Sequence, residues 1–296
     1  MAKDLIIGGA SNYNWDQLKY WVNSIKKTGF NGDIVLVATN MSAETVNKLV
    51  EKDVKVYAYG NRTEDGGIAK SENNIPPHVE RFLFIWDYLR KNQGVYRFVV
   101  VTDTRDVIFQ KDPFVFMENN NIGRSPIKLL APSEAMYYKD EPWNRDNIIK
   151  CFGQMYYDQI CDNEVLNVGT LAGRAGSIKD LTAAIFQMSL NRADWVADQA
   201  AYNIMMGWRQ YNRTSHIARL KDAWACNLHV TNKPDQMSQF GPYLLEPRPT
   251  FENGLVVNEN KTPFCVVHQY DRVPELKNYY EEKYGVANVL TFRTDN

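Results

Sequence analysis

Four short apolar runs occupy residues 4–8 (DLIIG), 33–38 (DIVLVA), 54–59 (VKVYAY) and 96–102 (YRFVVVT), and three segments of helical spacing separate them. This alternation constrains the chain more than any other feature. A helical crossover returns the chain to start the next strand in the same direction, so βαβ repeats build a parallel sheet with helices on its faces. Residues 16–28 carry Leu18, Trp21, Val22 and Ile25 at helical spacing and stop at Gly29. Ser42 caps a second helix through Val50, with Glu44 and Lys48 as an i,i+4 pair. Residues 78–91 form the third, with Phe82, Ile85, Trp86 and Leu89 inward. The fourth run is the most apolar and belongs at the centre of the sheet. Residues 61–78 are polar and glycine-containing, and read as a mobile surface loop.

Beyond Pro113 the alternation fades, and long segments bearing proline and aromatics appear at 131–161 and 231–263. A second lobe on a mixed sheet and loops fits them. The length of 296 residues agrees with two domains, or with one large unit of two lobes, at roughly 150 residues per domain. Charge excludes some functions. With 34 Lys+Arg against 35 Asp+Glu, the net charge of −1 argues against a nucleic-acid-binding protein. The four cysteines show no CxxC spacing, so no zinc knuckle or redox motif is indicated. No apolar run approaches the roughly 18 residues of a membrane span, and the N-terminal apolar stretch is too short for a signal peptide. The expected location is the cytoplasm.

In open parallel sheets ligands bind at the carboxyl ends of the strands. Residues 99–114 read VVVTDTRDVIFQKDPF, so the fourth strand delivers Asp103 and Asp106 to that edge. Two carboxylates across a turn suit Mg²⁺ or Mn²⁺, which take oxygen ligands from one or two carboxylates and from substrate phosphates. Arg105, between them, suits a carboxylate or a phosphate. The ordinary alternative is a capped turn with a surface salt bridge. His268 follows the apolar run 264–267 and also emerges at a strand end, where a neutral imidazole can join carboxylates around Mn²⁺. Arg272 lies four residues on, placed to clamp a diphosphate or to sit on the surface. Arg81, which opens the inward face of the third helix, is a candidate to reach a phosphate or the uracil, or else lies on the helix surface. His78, His216 and His229 lack such context and read as structural or surface residues.

The segment TDTRDVIFQKDPF resembles the metal motif of nucleotide-sugar glycosyltransferases of the GT-A fold, an Asp-x-Asp after a buried strand. Aligned on Asp112-Pro113-Phe114, Asp106 matches the second aspartate and Thr104 falls on the first; Asp103, one residue upstream, can take over. The resemblance implies that Asp106 holds a divalent metal, Mn²⁺ or Mg²⁺, bridging a diphosphate. Asp103 then either binds the metal or touches ribose or sugar hydroxyls. Residues 8–38 are similar to the family's first βαβ unit, which implies nucleotide contacts from Gly9, Ala10, Ser11 and Asn12. LNVGTLAGRAGSI (166–178) resembles the strand and turn that present Asn167 and Gly169 to the donor sugar. ADQAAYN (197–203) resembles the acidic start of a helix beside the acceptor, and VVHQYDR (266–272) the strand whose histidine, here His268, completes the metal site.

The resemblance therefore implies an α/β fold of the GT-A type: a Rossmann-like, open, twisted, mostly parallel sheet with helices on both faces and a smaller mixed acceptor lobe. Residues 1–115 would bind the donor and 116–296 the acceptor, as one continuous domain. The implied activity is metal-dependent transfer of a sugar from a nucleotide-diphospho-sugar, UDP being the commonest base, to a hydroxyl of a glycan acceptor. Asp198 is the base if transfer inverts; in a retaining enzyme it bonds the donor sugar instead. Residues 136–138, Trp143 and 240–243 are candidates for stacking on acceptor sugars. A chain without an anchor fits a bacterial enzyme or one from a large DNA virus. Sugar nucleotidyltransferases carry basic residues in the loop after the first strand, which GGASNYNWD lacks, and no GxGxxG follows that strand as in a dehydrogenase. A non-catalytic carbohydrate-binding relative is the third reading.

Overall fold

In the computed structural model, residues 2–192 and 196–285 are described. Residues 286–296 of the expected second lobe lie outside them. The elements open as β1 (Lys3–Ser11), α1 (Trp15–Lys27), β2 (Asp33–Thr39), α2 (Ala43–Glu51), β3 (Val54–Ala58), α3 (Pro77–Lys91) and β4 (Tyr96–Thr102). All neighbours in the order β3–β2–β1–β4 are parallel, as the alternation requires. Side chains of a strand alternate between faces, and here both faces are covered. Ile6, Ile34, Leu36 and Val100 pack with Leu18, Trp21, Val22 and Ile25 of α1. Leu5, Ile7, Val35, Val37, Val99 and Val101 pack with Phe82, Ile85 and Leu89 of α3. That is why these strands read as unbroken apolar runs.

Local chemistry sets the helix ends. Asn14 and Gln17 form a reciprocal capping box at α1, and the Ser42 hydroxyl accepts from the Thr45 N–H at α2. Three expectations change. Lys48 pairs with Glu51 at 3.5 Å instead of Glu44. Tyr88 fills the inner face of α3, while Trp86 is half-buried under the Arg90 guanidinium. Of residues 61–78, 61–76 are a loop, but an anchored one, and 77–78 open α3: buried Ile68 bridges Met41 and Arg62, and Ser71 and Asn73 donate to buried Glu80.

The chain continues through β5 (Val107–Phe109), α4 (Pro113–Asn119), β6 (Leu129–Tyr137), α5 (Pro142–Phe152), α6 (Gln154–Ile160), β7 (Glu164–Leu166), β8 (Thr170–Arg174), α7 (Ala175–Ser189), α8 (Ala197–Gly207), α9 (Arg209–Asn212) and β9 (Ser215–Ala218). Strand β8 joins β4 antiparallel, β6 follows antiparallel, and β7 and β9 flank β6, so the mixed half extends the same sheet. The result is a mixed α/β fold with a central, mostly parallel sheet flanked by helices. The last part holds β10 (Ala225–Asn227), α10 (Leu228–Asn232), α11 (Met237–Phe240), the hairpin β11 (Thr250–Glu252) and β12 (Leu255–Val257), then β13 (Val266–His268) and α12 (Pro274–Gly285). Among the described residues no helix is long and apolar enough to cross a membrane.

A small sheet of β10, β13 and β5 positions the candidate site. Its register sets His268 opposite Val107 and beside Asn227, so the imidazole arrives next to Asp106. The Gln269 N–H donates to the Asp106 carbonyl at 2.7 Å and locks that corner. Gln110 stitches β5 to the C-terminal hairpin. Its amide N–H groups donate to the carbonyls of Val256 and Phe264, and its Oε1 accepts from the Val256 N–H and the Tyr280 hydroxyl. Replacing Gln110 with Leu keeps much of the bulk and removes all four bonds. A loss of about 2–3 kcal/mol in urea unfolding is expected; unchanged stability would mean that packing alone holds β5 in place.

Candidate active site

At the carboxyl ends of β1 and β4 lies a cavity of about 500 Å³. After Thr102 the chain turns, and the Asp103 N–H donates to the Gly169 carbonyl at 2.8 Å. Thr104 points inward: its hydroxyl donates to the Gly9 carbonyl at 3.1 Å, and its methyl fills the space a Cβ on Gly8 would need. The motif position occupied by Thr104 is therefore a tie between the turn and β1; both residues line the cavity, and Asp103 brings the carboxylate.

Asp103, Asp106 and His268 offer ligand atoms that all lie within 4.8 Å of one another. Nε2 of His268 is 3.4 Å from Oδ2 of Asp103 and 3.7 Å from Oδ1 of Asp106. The imidazole is 3% exposed, yet neither ring nitrogen has a hydrogen-bond partner. Buried polar atoms are normally satisfied. Two carboxylates beside an orphaned imidazole form a donor set that fits Mn²⁺ or Mg²⁺.

Charge around the cluster is uneven. Arg81 pairs with Asp103 and, at 3.3 Å, with Asp198. Burial pushes the Asp103 carboxyl up, but the Arg81 charge and His268 outweigh it and hold it well below the usual range. Asp106 has Arg105 and Arg272 only at 3.8 Å each. Its carboxyl is raised, by burial first and by Asp103 and Asp271, against the pull of His268. Burial lowers the His268 imidazole, but the two aspartates more than reverse this. The raised imidazole favours a proton on His268 beside the two aspartates, and a cation held by these three residues would compete with that proton.

The structure brings nearly all the expected residues to this cavity. Gly9, Ala10, Ser11, Arg81, Asp103, Arg105, Asp106, Asn167, Gly169, Asp198, His268 and Arg272 line it. Asn12 does not: it is exposed, left-handed, and its N–H donates to the Asn40 carbonyl. Arg105 and Arg272 remain 42% and 34% exposed at the rim, where an anion can reach them. A Cβ on Gly169 would come within 2.6 Å of His268 and 2.7 Å of Asp103, so only glycine lets this turn pack against the cluster. The segment ADQAAYN acts as a clamp. Asp198 faces Arg81, Gln199 bonds the Val168 N–H and Leu166 carbonyl, and Asn203 bonds both backbone groups of Leu166. This fixes the backbone on both sides of Asn167.

Sequence reasoning missed several lining residues. His78 and His229, read as structural or surface, face the cavity; His216 does not, and sits 3.5 Å from Asp222. Burial, then Lys233 and Arg272, lower the His229 imidazole. Of the stacking candidates only Trp143 lines the cavity, 46% exposed, whereas Met136, Tyr138 and Phe240 are buried in packing. Glu134 and Glu141 also line it. Glu141 caps α5. Glu134, 6% exposed, accepts from Asn167 Nδ2 at 2.7 Å. Burial pushes its carboxyl up to about 7, helped by Glu141 and opposed by Asn167, His268 and Asn227. The available signal was a lone carboxylate inside the apolar strand LLAPSEAMY.

No protein-family model matches this chain, and no curated protein matches it. Solved structures do, 357 chains in all, so the fold is widely used and does not by itself name a reaction. One is the apo structure of the bifunctional glycosyltransferase WbbM, with a TM-score of 0.58 and 13% sequence identity over 97% of this chain and 50% of that one. This chain spans half the length of that chain. At such identity the likeness speaks for the fold, which is glycosyltransferase-like and consistent with a GT-A-like architecture.

Two outcomes are expected. Mn²⁺ binding, measured by calorimetry, falls at least tenfold in Asp106→Ala and in Gly169→Ala, and weakens from pH 8 to pH 6 as protons compete for His268; wild-type affinity in both variants would place the metal elsewhere. Glu134→Gln removes a carboxyl whose folded pKa lies above its unfolded value. Between pH 4.5 and about 7 the native state holds a proton that the unfolded chain has lost, so wild-type stability falls as pH rises through that window. In EDTA the variant should gain on wild type by up to about 3 kcal/mol from pH 4.5 to 7 and level off above. A pH-independent difference would contradict the buried environment assigned to Glu134.

Proposed function

We propose that this protein is a metal-dependent glycosyltransferase that uses a nucleotide-diphospho-sugar, with UDP the first base to test, and a glycan hydroxyl as acceptor. The observation that carries this reading is the cluster of Asp103, Asp106 and His268 on the wall of a cavity at the strand ends. Those three residues would hold the divalent cation, which when bound neutralises charge on a diphosphate leaving group.

The chain's own residues supply the rest. Arg105 and Arg272 at the rim attract the diphosphate and stabilise it as it departs. Gly9, Ala10 and Ser11 form a narrow, side-chain-poor edge suited to a nucleoside. Gly9 is required there because a Cβ would lie 2.8 Å from the Arg81 side chain. Asn167 and Gly169 face the donor sugar, and Trp143 offers an exposed ring at the mouth to an acceptor sugar. Residues 1–115 then serve the donor, and 116–296 supply the acceptor side together with the donor contacts of Asn167, Gly169, His268 and Arg272.

From the sequence, Asp198 is a candidate for the base of an inverting enzyme or for a donor-sugar contact in a retaining one. Its ion pair with Arg81 suits it better to holding that arginine. Its Oδ1 is buried without a partner and suits a donor-sugar hydroxyl. A panel of UDP-, GDP- and dTDP-sugars with Mn²⁺ and simple glycoside acceptors tests the activity. At least one donor should release nucleoside diphosphate, with release abolished by EDTA and cut at least 100-fold in Asp106→Ala. Binding of donors with no release from any would identify a carbohydrate-binding protein, and metal-independent release would remove the cluster from the mechanism.

A further inference from the structure

We propose that Glu134 is a catalytic residue of this site: its carboxylate takes the proton of the acceptor hydroxyl as that oxygen attacks the donor sugar. The proposal rests on the glycosyl-transfer reading above and replaces Asp198 as the base.

The backbone is the first observation. In a regular strand Ser133, Glu134 and Ala135 would alternate between the faces of β6. Here the pairing of β6 with β7 shifts register between Ser133 and Tyr137, and Ala135 takes a left-handed φ of 57°. The Ser133 hydroxyl holds the kink by accepting from the Ala135 N–H at 2.9 Å. A residue other than glycine rarely adopts this conformation without support, and such irregularities re-aim a side chain. The side chain re-aimed here is a carboxylate, the one residue of this largely apolar strand that lines the cavity shared with the metal cluster.

Hydrogen bonding then separates the two carboxylate oxygens. The Gly169 N–H donates to Asn167 Oδ1 at 2.8 Å, which fixes the amide orientation. Asn167 Nδ2 must therefore face Glu134, and it donates to Oε1 at 2.7 Å. Oε1 is committed as an acceptor, so a proton on Glu134 belongs on Oε2. Asn227, the second amide beside this carboxylate, sits in register with His268. Asp103 and Asp198 are each tied to Arg81, whereas among the described residues Glu134 forms no ion pair with an arginine or lysine. A carboxylate held by amides instead of cations keeps its basicity. Burial, which moves its pKa close to neutrality, adds driving force for proton transfer at working pH.

The step balances. The acceptor O–H bond breaks and its proton passes to Oε2 of Glu134. The acceptor oxygen forms the new bond to the anomeric carbon. The bond from that carbon to the diphosphate oxygen breaks, and its electron pair leaves with the nucleoside diphosphate. The product configuration is inverted, and Glu134 returns its proton to water.

Wild type, Glu134→Gln, Glu134→Ala and Asp198→Asn are compared with the best donor of the UDP-, GDP- and dTDP-sugar panel, Mn²⁺ and a methyl glycoside acceptor. Glu134→Gln should lower kcat at least 100-fold while UDP affinity in Mn²⁺ stays within threefold; Asp198→Asn should act mainly on the donor KM. Added formate should restore part of the turnover of Glu134→Ala, which a merely structural residue would not allow. If Glu134→Gln stays within fivefold of wild type, if its loss lies in UDP or donor affinity instead of kcat, or if the product retains the donor's configuration, Glu134 is not the base. If wild type releases nucleoside diphosphate from no donor, the glycosyltransferase reading falls and this proposal with it.

Discussion

Asp106 is a nearly buried carboxylate whose charged neighbours, Arg105, Arg272 and His268, all stand 3.7–3.8 Å away. Burying a carboxylate is costly unless its charge is met, and Asp103 within the same cluster adds repulsion. The fold does not relieve this with a close arginine, although Arg81 does so for Asp103. It brings His268 to the spot through the β5–β13 register, with Nε2 facing both aspartates. A divalent cation held by these three residues would neutralise Asp106 and satisfy the imidazole together.

Much of the surrounding structure keeps that arrangement in place. Gln110 and the Gln269 N–H fix the corner that carries Asp106. Gly169 presses against His268 and Asp103 with no room for a side chain, and α8 grips the backbone on either side of Asn167. Arg81 links β4 to α8 by pairing with two aspartates nearly a hundred residues apart in sequence. The residues around the cluster thus sit on strands, a tight turn and a clamped helix, which suits a site that must hold groups in fixed positions.

The first four strands and their parallel order were legible because a sheet covered on both faces leaves unbroken apolar runs. The acidic turn was legible because a strand end makes it conspicuous, and His268 because it closes another apolar run. Local pattern failed where tertiary packing decides. Nothing in the sequence shows that β8 and β6 extend the main sheet antiparallel, that Thr104 turns inward to tie Gly9, or that Asn12 turns away. His78 and His229 reach the cavity only through the placement of α3 and α10, which local context does not reveal. Glu134 carried a readable sign, a charge in an apolar strand, but its meaning depends on a kink at Ala135 that no residue preference announces.

The proposed chemistry needs a metal at one place, and anomalous diffraction can locate it. Crystals soaked with Mn²⁺ and UDP, measured on either side of the manganese edge, should show one strong peak between Asp103, Asp106 and His268, with the diphosphate against it and Arg105 and Arg272 turned toward its oxygens. A peak elsewhere, or UDP seated in the cavity with no manganese among those three side chains, would contradict it.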